Sequence, residues 1–238
     1  RDRCVASPAR PTADDVAVTN ELDGPPRITA VIPTYQRAHL VGRAIESILA
    51  QSTPPEQIIV VDDGSTDGTA EVIAAFGDRV SYHRQDNAGG AAARNRGVDL
   101  ASTEWVAFLD SDDVWLPHHL ADITAAMDAT DEAADLYFSD VGRTEEEGGG
   151  TTFQRAGLNL AEGFELRLDA RSWAVAPVQP AMLQGLVVRR RAFREIGGFW
   201  PQLSSRHDTH FFYFAFASHP ACAVAGVSAQ MSADDDVA

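Results

Sequence analysis

The chain has 238 residues, with 35 acidic side chains against 19 basic ones, every basic one an arginine, for a formal charge of −16. A surface this acidic repels a phosphate backbone and argues against DNA or RNA, yet admits a small phosphorylated ligand neutralised by a divalent metal. With 45% hydrophobic and 23% charged residues, the composition is that of a globular protein with a sizeable core.

Residues 1–26 are rich in Pro, Ala, Asp and Thr without periodicity and predict a flexible extension ending at Pro25-Pro26. From residue 28 short apolar runs recur at Ile28–Ile32, Ile58–Val61, Val80–His83 and Trp105–Leu109. Helical patterns over 38–50, 68–76 and 90–101 separate them. This alternation predicts an α/β fold built from right-handed βαβ units around a mainly parallel sheet. Leu136-Tyr137-Phe138 reads as a further strand, and a Gly- and Glu-rich loop at Glu145–Gly150 breaks the pattern. The segment 151–180 reads as irregular, with one or two edge strands. Order returns with a strand at Gly185–Val188 and the basic run Arg189-Arg190-Arg191. A helix starting near His207 follows, whose Phe cluster at 211–216 reads as core, and Ala221–Val227 reads as a last strand.

Cys4 and Cys222 are too few and too far apart for a disulfide framework. No apolar run reaches the length of a membrane span, and the first residues lack a signal-peptide core. The expectation is a cytoplasmic protein able to associate peripherally with the inner face of a membrane. Its start at Arg1 rather than Met suggests trimming or a fragment. Acidity without lysine fits either a salt-rich cytoplasm or a GC-rich coding bias.

The chemistry-bearing residues gather at strand ends, the edge where open α/β sheets bind ligands. After the first strand, Pro33 removes a backbone donor and predicts the end of the ladder, leaving Thr34 and Tyr35 at the ligand edge. Tyr35 suits stacking on a flat base. After the second strand, Asp62-Asp63-Gly64-Ser65-Thr66-Asp67 combines a tight turn with carboxylates that accept from base or ribose donors. Ser65, Thr66 or Asp67 would cap the following helix. Gly89-Gly90 opens a helix whose N-terminus favours anions, and Arg94 on it would counter a diphosphate or the carboxylates near 110–113. No Gly-Lys-Ser/Thr phosphate loop is present.

The strand Trp105–Leu109 runs directly into Asp110-Ser111-Asp112-Asp113. Asp110 and Asp112 fall on one side of an extended chain. Oxygen-only donors of this kind suit Mg2+ or Mn2+ shared with phosphate oxygens, although an acidic turn capping the next helix would look the same.

Together these segments resemble the family 2 glycosyltransferases of the GT-A fold. VIPTYQRAHLVGRAIESILAQ, IIVVDDGSTDGT, NAGGAAARNRGVDLA and WVAFLDSDDVWLP occur in that family's order and spacing across about residues 28–120. The resemblance implies one GT-A-like domain over 27–238, with a nucleotide-sugar-binding half at 27–120 and an irregular acceptor-binding half at 140–238. It implies a nucleotide-sugar donor, UDP by default, and a glycan, lipid-linked or protein-linked hydroxyl acceptor, with inverting transfer. Thr34, Tyr35 and Asp63 would hold the base and Asp110 would lie near the ribose. Asp112 would hold Mg2+ or Mn2+, with Asp110 as a further ligand, and Asp113 would serve there or cap the next helix. After Ile196-Gly197-Gly198-Phe199, Asp208 matches the position of the family's catalytic base. His207 departs from the usual Glu, His210 stands where a second acidic residue often does, and Phe214 replaces an expected Arg. Arg189–Arg191 would face an anionic acceptor, a lipid phosphate or solvent. Two alternatives share these features: a catalytically impaired nucleotide-sugar-binding protein and a sugar-phosphate nucleotidyltransferase.

Overall fold

The apolar runs at the start of the chain are strands buried on both faces. In the computed structural model, which describes residues 27–145, 148–203 and 205–232, they form β1 (Ile28–Thr34), β2 (Gln57–Asp62), β3 (Ser81–Arg84) and β4 (Trp105–Phe108). Helices α1 (Val41–Leu49), α2 (Thr69–Ala74) and α3 (Gly90–Leu100) connect them, and all four strands run parallel in the order β3-β2-β1-β4. The expected extension at 1–26 lies outside the described residues.

Beyond β4 the chain forms β5 (Val114–Trp115), α4 (His119–Ala129), β6 (Leu136–Gly142), α5 (Thr152–Ala156), β7 (Phe164–Arg167) and α6 (Arg171–Ala174). It continues with β8 (Leu186–Arg189), α7 (Arg190–Ile196), α8 (His207–Ser218) and β9 (Ala221–Gln230). The same sheet extends through β8, β6, β9 and β5, with β7 also on β9. This second part is mixed: β8 is antiparallel to β4 and β6, β9 is parallel to β6, and β5 and β7 are antiparallel to β9.

Two apolar layers enclose the sheet. Ile45 and Ile48 of α1 and Leu120 and Ile123 of α4 cover one face. On the other, Ala93 and Val98 of α3 pack beside Phe193 of α7 and Phe211, Phe212 and Phe216 of α8. Each such fully buried large side chain contributes about 1.5–3 kcal/mol relative to exposure. Contact between α3 and β1 is so close that a Cβ at Gly97 would overlap the Val31 side chain.

Three expectations need correction. Pro33 does not end its strand; β1 runs to Thr34, still paired with β2, whereas pairing with β4 stops at Val31. Val31 gives its carbonyl to Leu109 and Thr34 gives its carbonyl to Asp63, so Pro33 faces the β4 side beyond the end of that strand. Its missing N–H therefore breaks no ladder bond. The segment 151–180 holds one edge strand, β7, but also α5 and α6; α5 starts in a capping box between Thr151 and Gln154. Helix α4 is the helix expected after Asp113, whereas α7 has no counterpart in the sequence pattern. Finally, Phe214 is not core: it is exposed on α8, unlike its three Phe neighbours. Among the described residues no helix is long and apolar enough to cross a membrane.

Candidate active site

The C-terminal ends of β1, β2 and β4 converge with the first turns of α3 on a cleft of about 290 Å3. Thr34, Tyr35, Asp63, Arg94, Asp110 and Asp112 all line it. Tyr35 is 48% exposed, its ring available for stacking. Thr34 is buried, and among the described residues its hydroxyl has no hydrogen-bond partner, which leaves it open to one supplied from the cleft.

The adjacent carboxylates after β2 have separate tasks. Asp62 accepts from the Ser65 amide (2.8 Å) and the Tyr82 hydroxyl (2.7 Å). Burial and this neighbouring carboxylate push the Tyr82 phenol up to about 12. Asp63 accepts from Gln85 Nε2 (2.7 Å) and from the amides of Ala88 (2.9 Å) and Gly89 (2.7 Å). It therefore fixes the turn that starts α3, where Gly89 has φ +89°. A carboxylate thus already sits at the positive end of this helix.

The neighbouring turn depends on Gln36, which the sequence reading passed over. At φ +53°, Gln36 accepts from the amides of Thr66 (2.7 Å) and Asp67 (3.1 Å), and its own amide donates to Ser65 Oγ (2.9 Å). The N-cap position of α2 is Gly68, and of Ser65, Thr66 and Asp67 it is Asp67 whose carboxylate takes an amide of the helix's first turn. Asp67 accepts from the amides of both Ala38 (3.1 Å) and Thr69 (3.1 Å), joining the loop after β1 to the start of α2.

Arg94 is buried beneath the cleft and forms an ion pair with Asp110. Its Nη1 lies 3.0 Å from Nε2 of His207 in the first turn of α8. A guanidinium only donates, so His207 accepts through Nε2 and carries its proton on Nδ1. Burial, then the Arg94 charge, lowers the imidazole pKa and keeps the ring neutral near pH 7.

Asp113 is not a helix cap. Buried behind Asp110 and Asp112, it accepts from Gln184 Nε2 (2.6 Å) and the Ser232 amide (2.9 Å). Burial first, then the Asp110 charge, raises its pKa to about 7. Gln184 also donates to Asp110 (3.2 Å), so one amide ties two carboxylates to the loop before β8. Asp112 lies 3.9 Å from Arg37 Nε.

Among the described residues no three His, Cys, Asp or Glu side chains cluster as a metal site. The donors present still fit Mg2+ or Mn2+, because such ions are commonly held by one or two carboxylates and complete their shell with substrate phosphates and water.

Asp208 opens onto a second, larger cavity of about 850 Å3 between α8, α5 and the segment around 174–182. Its Oδ1 accepts from the Thr209 amide at 2.7 Å. Helix α8 lies close to both: His207 contacts Arg94 of the first cleft, while Asp208 and His210 line the second cavity. His210 stacks between Trp200 and Phe214. Arg189 and Arg190 face neither cavity. Arg189 pairs with Glu104, Glu132 and Asp135 and covers Trp105, at the opposite end of β4 from Asp110. Arg190 donates to the Ala101 carbonyl, and the exposed Arg191 lies 3.4 Å from Asp135.

Residues 29–197 match the sequence model for glycosyl transferase family 2. Over 179 residues the chain is 32% identical to the uncharacterized glycosyltransferase alr2836 of a Nostoc species, a match covering 71% of this chain and 53% of that protein. Its fold is similar to S. aureus TarS 1–349 in complex with UDP-GlcNAc, with a TM-score of 0.71, 19% identity, and 88% and 59% of the two chains covered. It is also similar to the mannosyltransferase PcManGT of Pyrobaculum calidifontis in complex with GDP-Man and Mn2+, with a TM-score of 0.62, 19% identity, and coverage of 90% and 59%. The chain spans little more than half the length of these proteins. At such identity the structural likeness establishes the shared GT-A fold.

Proposed function

Starting from the chain's membership of glycosyl transferase family 2, we propose that it moves a sugar from a nucleoside-diphosphate donor, a UDP-sugar by preference, to a hydroxyl of a glycan, lipid-linked or protein-linked acceptor. The observation that carries this reading is a single cleft. It gathers the exposed ring of Tyr35, the unpartnered hydroxyl of Thr34 and the carboxylates of Asp110 and Asp112. The base stacks on Tyr35, within reach of Thr34 and Asp63. Bound UDP-GlcNAc in one structural neighbour, and GDP-Man with Mn2+ in another, support a donor of this class.

Asp112, with Asp110, would hold Mg2+ or Mn2+, and such an ion when bound offsets the charge that builds on the departing diphosphate. Because Asp63 occupies the amides of Ala88 and Gly89, the α3 terminus offers the diphosphate less than a vacant helix end would. Neutralisation by protein groups falls more heavily on Arg37 and Arg94, the cations lining the cleft. On the acceptor side, Asp208 takes the proton of the attacking hydroxyl. The acceptor oxygen bonds to the anomeric carbon as the bond to the diphosphate breaks on the opposite face, which inverts the configuration.

A thermal-shift panel of UDP, GDP, dTDP and CDP, each with Mn2+ or with EDTA at low and high KCl, tests the donor reading. Ligands that bind only the native state raise its melting temperature by mass action. A shift that needs both one nucleotide and Mn2+ is the expected result and names the donor class. The absence of any shift under every salt condition would overturn it.

A further inference from the structure

We propose that the acceptor is anionic: a phosphate or carboxylate on it is held by Arg143 and Arg206 while its hydroxyl lies at Asp208. The inference rests on the reading of Asp208 as the base and adds a chemical class to the acceptor.

The charge of the larger cavity is the reverse of the molecule's. The whole chain has nearly two carboxylates for each arginine. Among the described residues, this cavity is lined by three arginines, Arg143, Arg155 and Arg206, against one carboxylate, Asp208. Arg143 follows directly on β6, its backbone anchored to the Gly150 carbonyl at 3.0 Å. Among the described residues its guanidinium donates only to the Met182 sulfur at 3.1 Å, and its buried Nε has no partner. A thioether is a weak acceptor, so a half-buried cation with several donors is poorly satisfied there.

Arg206 immediately precedes α8 in the left-handed conformation, φ +59°. Such backbone is uncommon for a non-glycine residue and persists where its surroundings enforce it. Here it places an arginine two residues before Asp208. Among the described residues neither Arg143 nor Arg206 has a carboxylate partner, whereas Arg27, Arg94, Arg167 and Arg171 each have one and Arg189 has three. Arg155 has an interaction of its own and contributes charge to the wall without being needed as a ligand. A planar guanidinium that is always charged suits a phosphate or carboxylate by paired, charge-assisted hydrogen bonds. Exposed Tyr213 on the same wall offers a sugar ring an apolar face.

The test is calorimetric titration of the protein with α-glucose 1-phosphate, digalacturonate and methyl glucoside, first alone and then with UDP and Mn2+ filling the donor cleft. With that cleft filled, at least one anionic probe should bind tenfold or more tightly than the glucoside, and less tightly as KCl is raised. Phosphate or uronate preference names the anion. Arg143→Gln and Arg206→Gln should each remove most of the preference, with UDP affinity unaltered. Arg206 is exposed, so its variant stays readable even where Arg143→Gln fails to fold. Equal binding of charged and neutral probes, or anion binding unchanged in Arg206→Gln and in a folded Arg143→Gln, would overturn the proposal. Failure of wild-type protein to bind UDP would instead sink the donor reading, and the titrations without UDP would still decide the cavity's preference.

Discussion

Arg94 and His207, 113 positions apart, meet through a 3.0 Å contact that joins the floor of the donor cleft to the first turn of α8. Because His207 is neutral, the buried Arg94 has one charged partner among the described residues, Asp110. Replacing His207 with Ala leaves a charged donor without its acceptor, at a cost of about 1.5–3 kcal/mol. Replacement with Gln, which retains an acceptor, should restore most of that stability. Urea unfolding of the two variants checks this; equal losses would mean that the contact carries no energy.

Asp112 faces the cleft beside Arg37, whereas Asp113 is tied to the backbone. Asp112→Asn should therefore leave the melting temperature near that of wild type and abolish the dependence of nucleotide binding on Mn2+. Nucleotide affinity in Mn2+ equal to wild type would remove Asp112 from the metal site.

Tyr35 contributes little to the core at 48% exposure. Tyr35→Ala should weaken UDP binding by about 1–3 kcal/mol, the range for a base stacked on an aromatic ring, with stability unchanged. Calorimetry of the variant resolves the point, and unaltered affinity would assign the ring to some other contact.

Asp208→Asn preserves side-chain size and the acceptor oxygen facing the Thr209 amide. The variant should bind donor normally while transfer falls by at least a hundredfold, in keeping with loss of a general base. Normal turnover would exclude Asp208 from proton transfer.

His119 is fully buried, with Nδ1 2.7 Å from Ser228 Oγ and Nε2 unpartnered. Burial lowers its pKa to about 3. The unfolded chain binds a proton below about 6.5 while the native state does not, so this residue's share of stability is lost as pH falls from there toward 3. Between pH 7 and pH 5 that share is about 2 kcal/mol. His119→Gln removes it. Urea midpoints of both proteins at each pH give the difference, in which groups common to the two cancel. Parallel pH profiles would show that His119 does not titrate as described.

The parallel half of the sheet was legible because its strands are continuous apolar runs separated by amphipathic or small-residue helices. The cleft residues were legible for the same reason, since strand ends fix where Thr34, Asp63, Asp110 and Asp112 emerge. The partners they choose were not. Asp62 and Asp63 look equivalent in sequence, yet one meets Tyr82 and the other a turn 25 residues on. Gln36 carries no sequence signal, because its role comes from a left-handed backbone and two amides from another loop. Helices α5 and α6 are only five and four residues long, too short for periodicity to register. The basic run at 189–191 showed charge but not direction, and only the antiparallel pairing of β8 with β4 turns it away from the cleft.

Strand β9 pairs with β6, β7 and β5, while β8 bonds directly to β4. The backbone ladder therefore crosses from the donor side to the acceptor side without a seam. A recombination event that swapped either half as a cassette would have to rebuild the β4–β8 register and the aromatic layer behind it at the same time. The excursion between β6 and β8 is different, since it joins the sheet only at its edges, through β7 on β9 and a bridge from Thr151 to Gly142 among the described residues. Apart from core residues such as Phe153 and Trp173, it can exchange side chains while every central strand keeps its neighbours. Changes of acceptor in descendants of this scaffold should accordingly accumulate as edits to that excursion short of Gln184, whose amide holds Asp110 and Asp113.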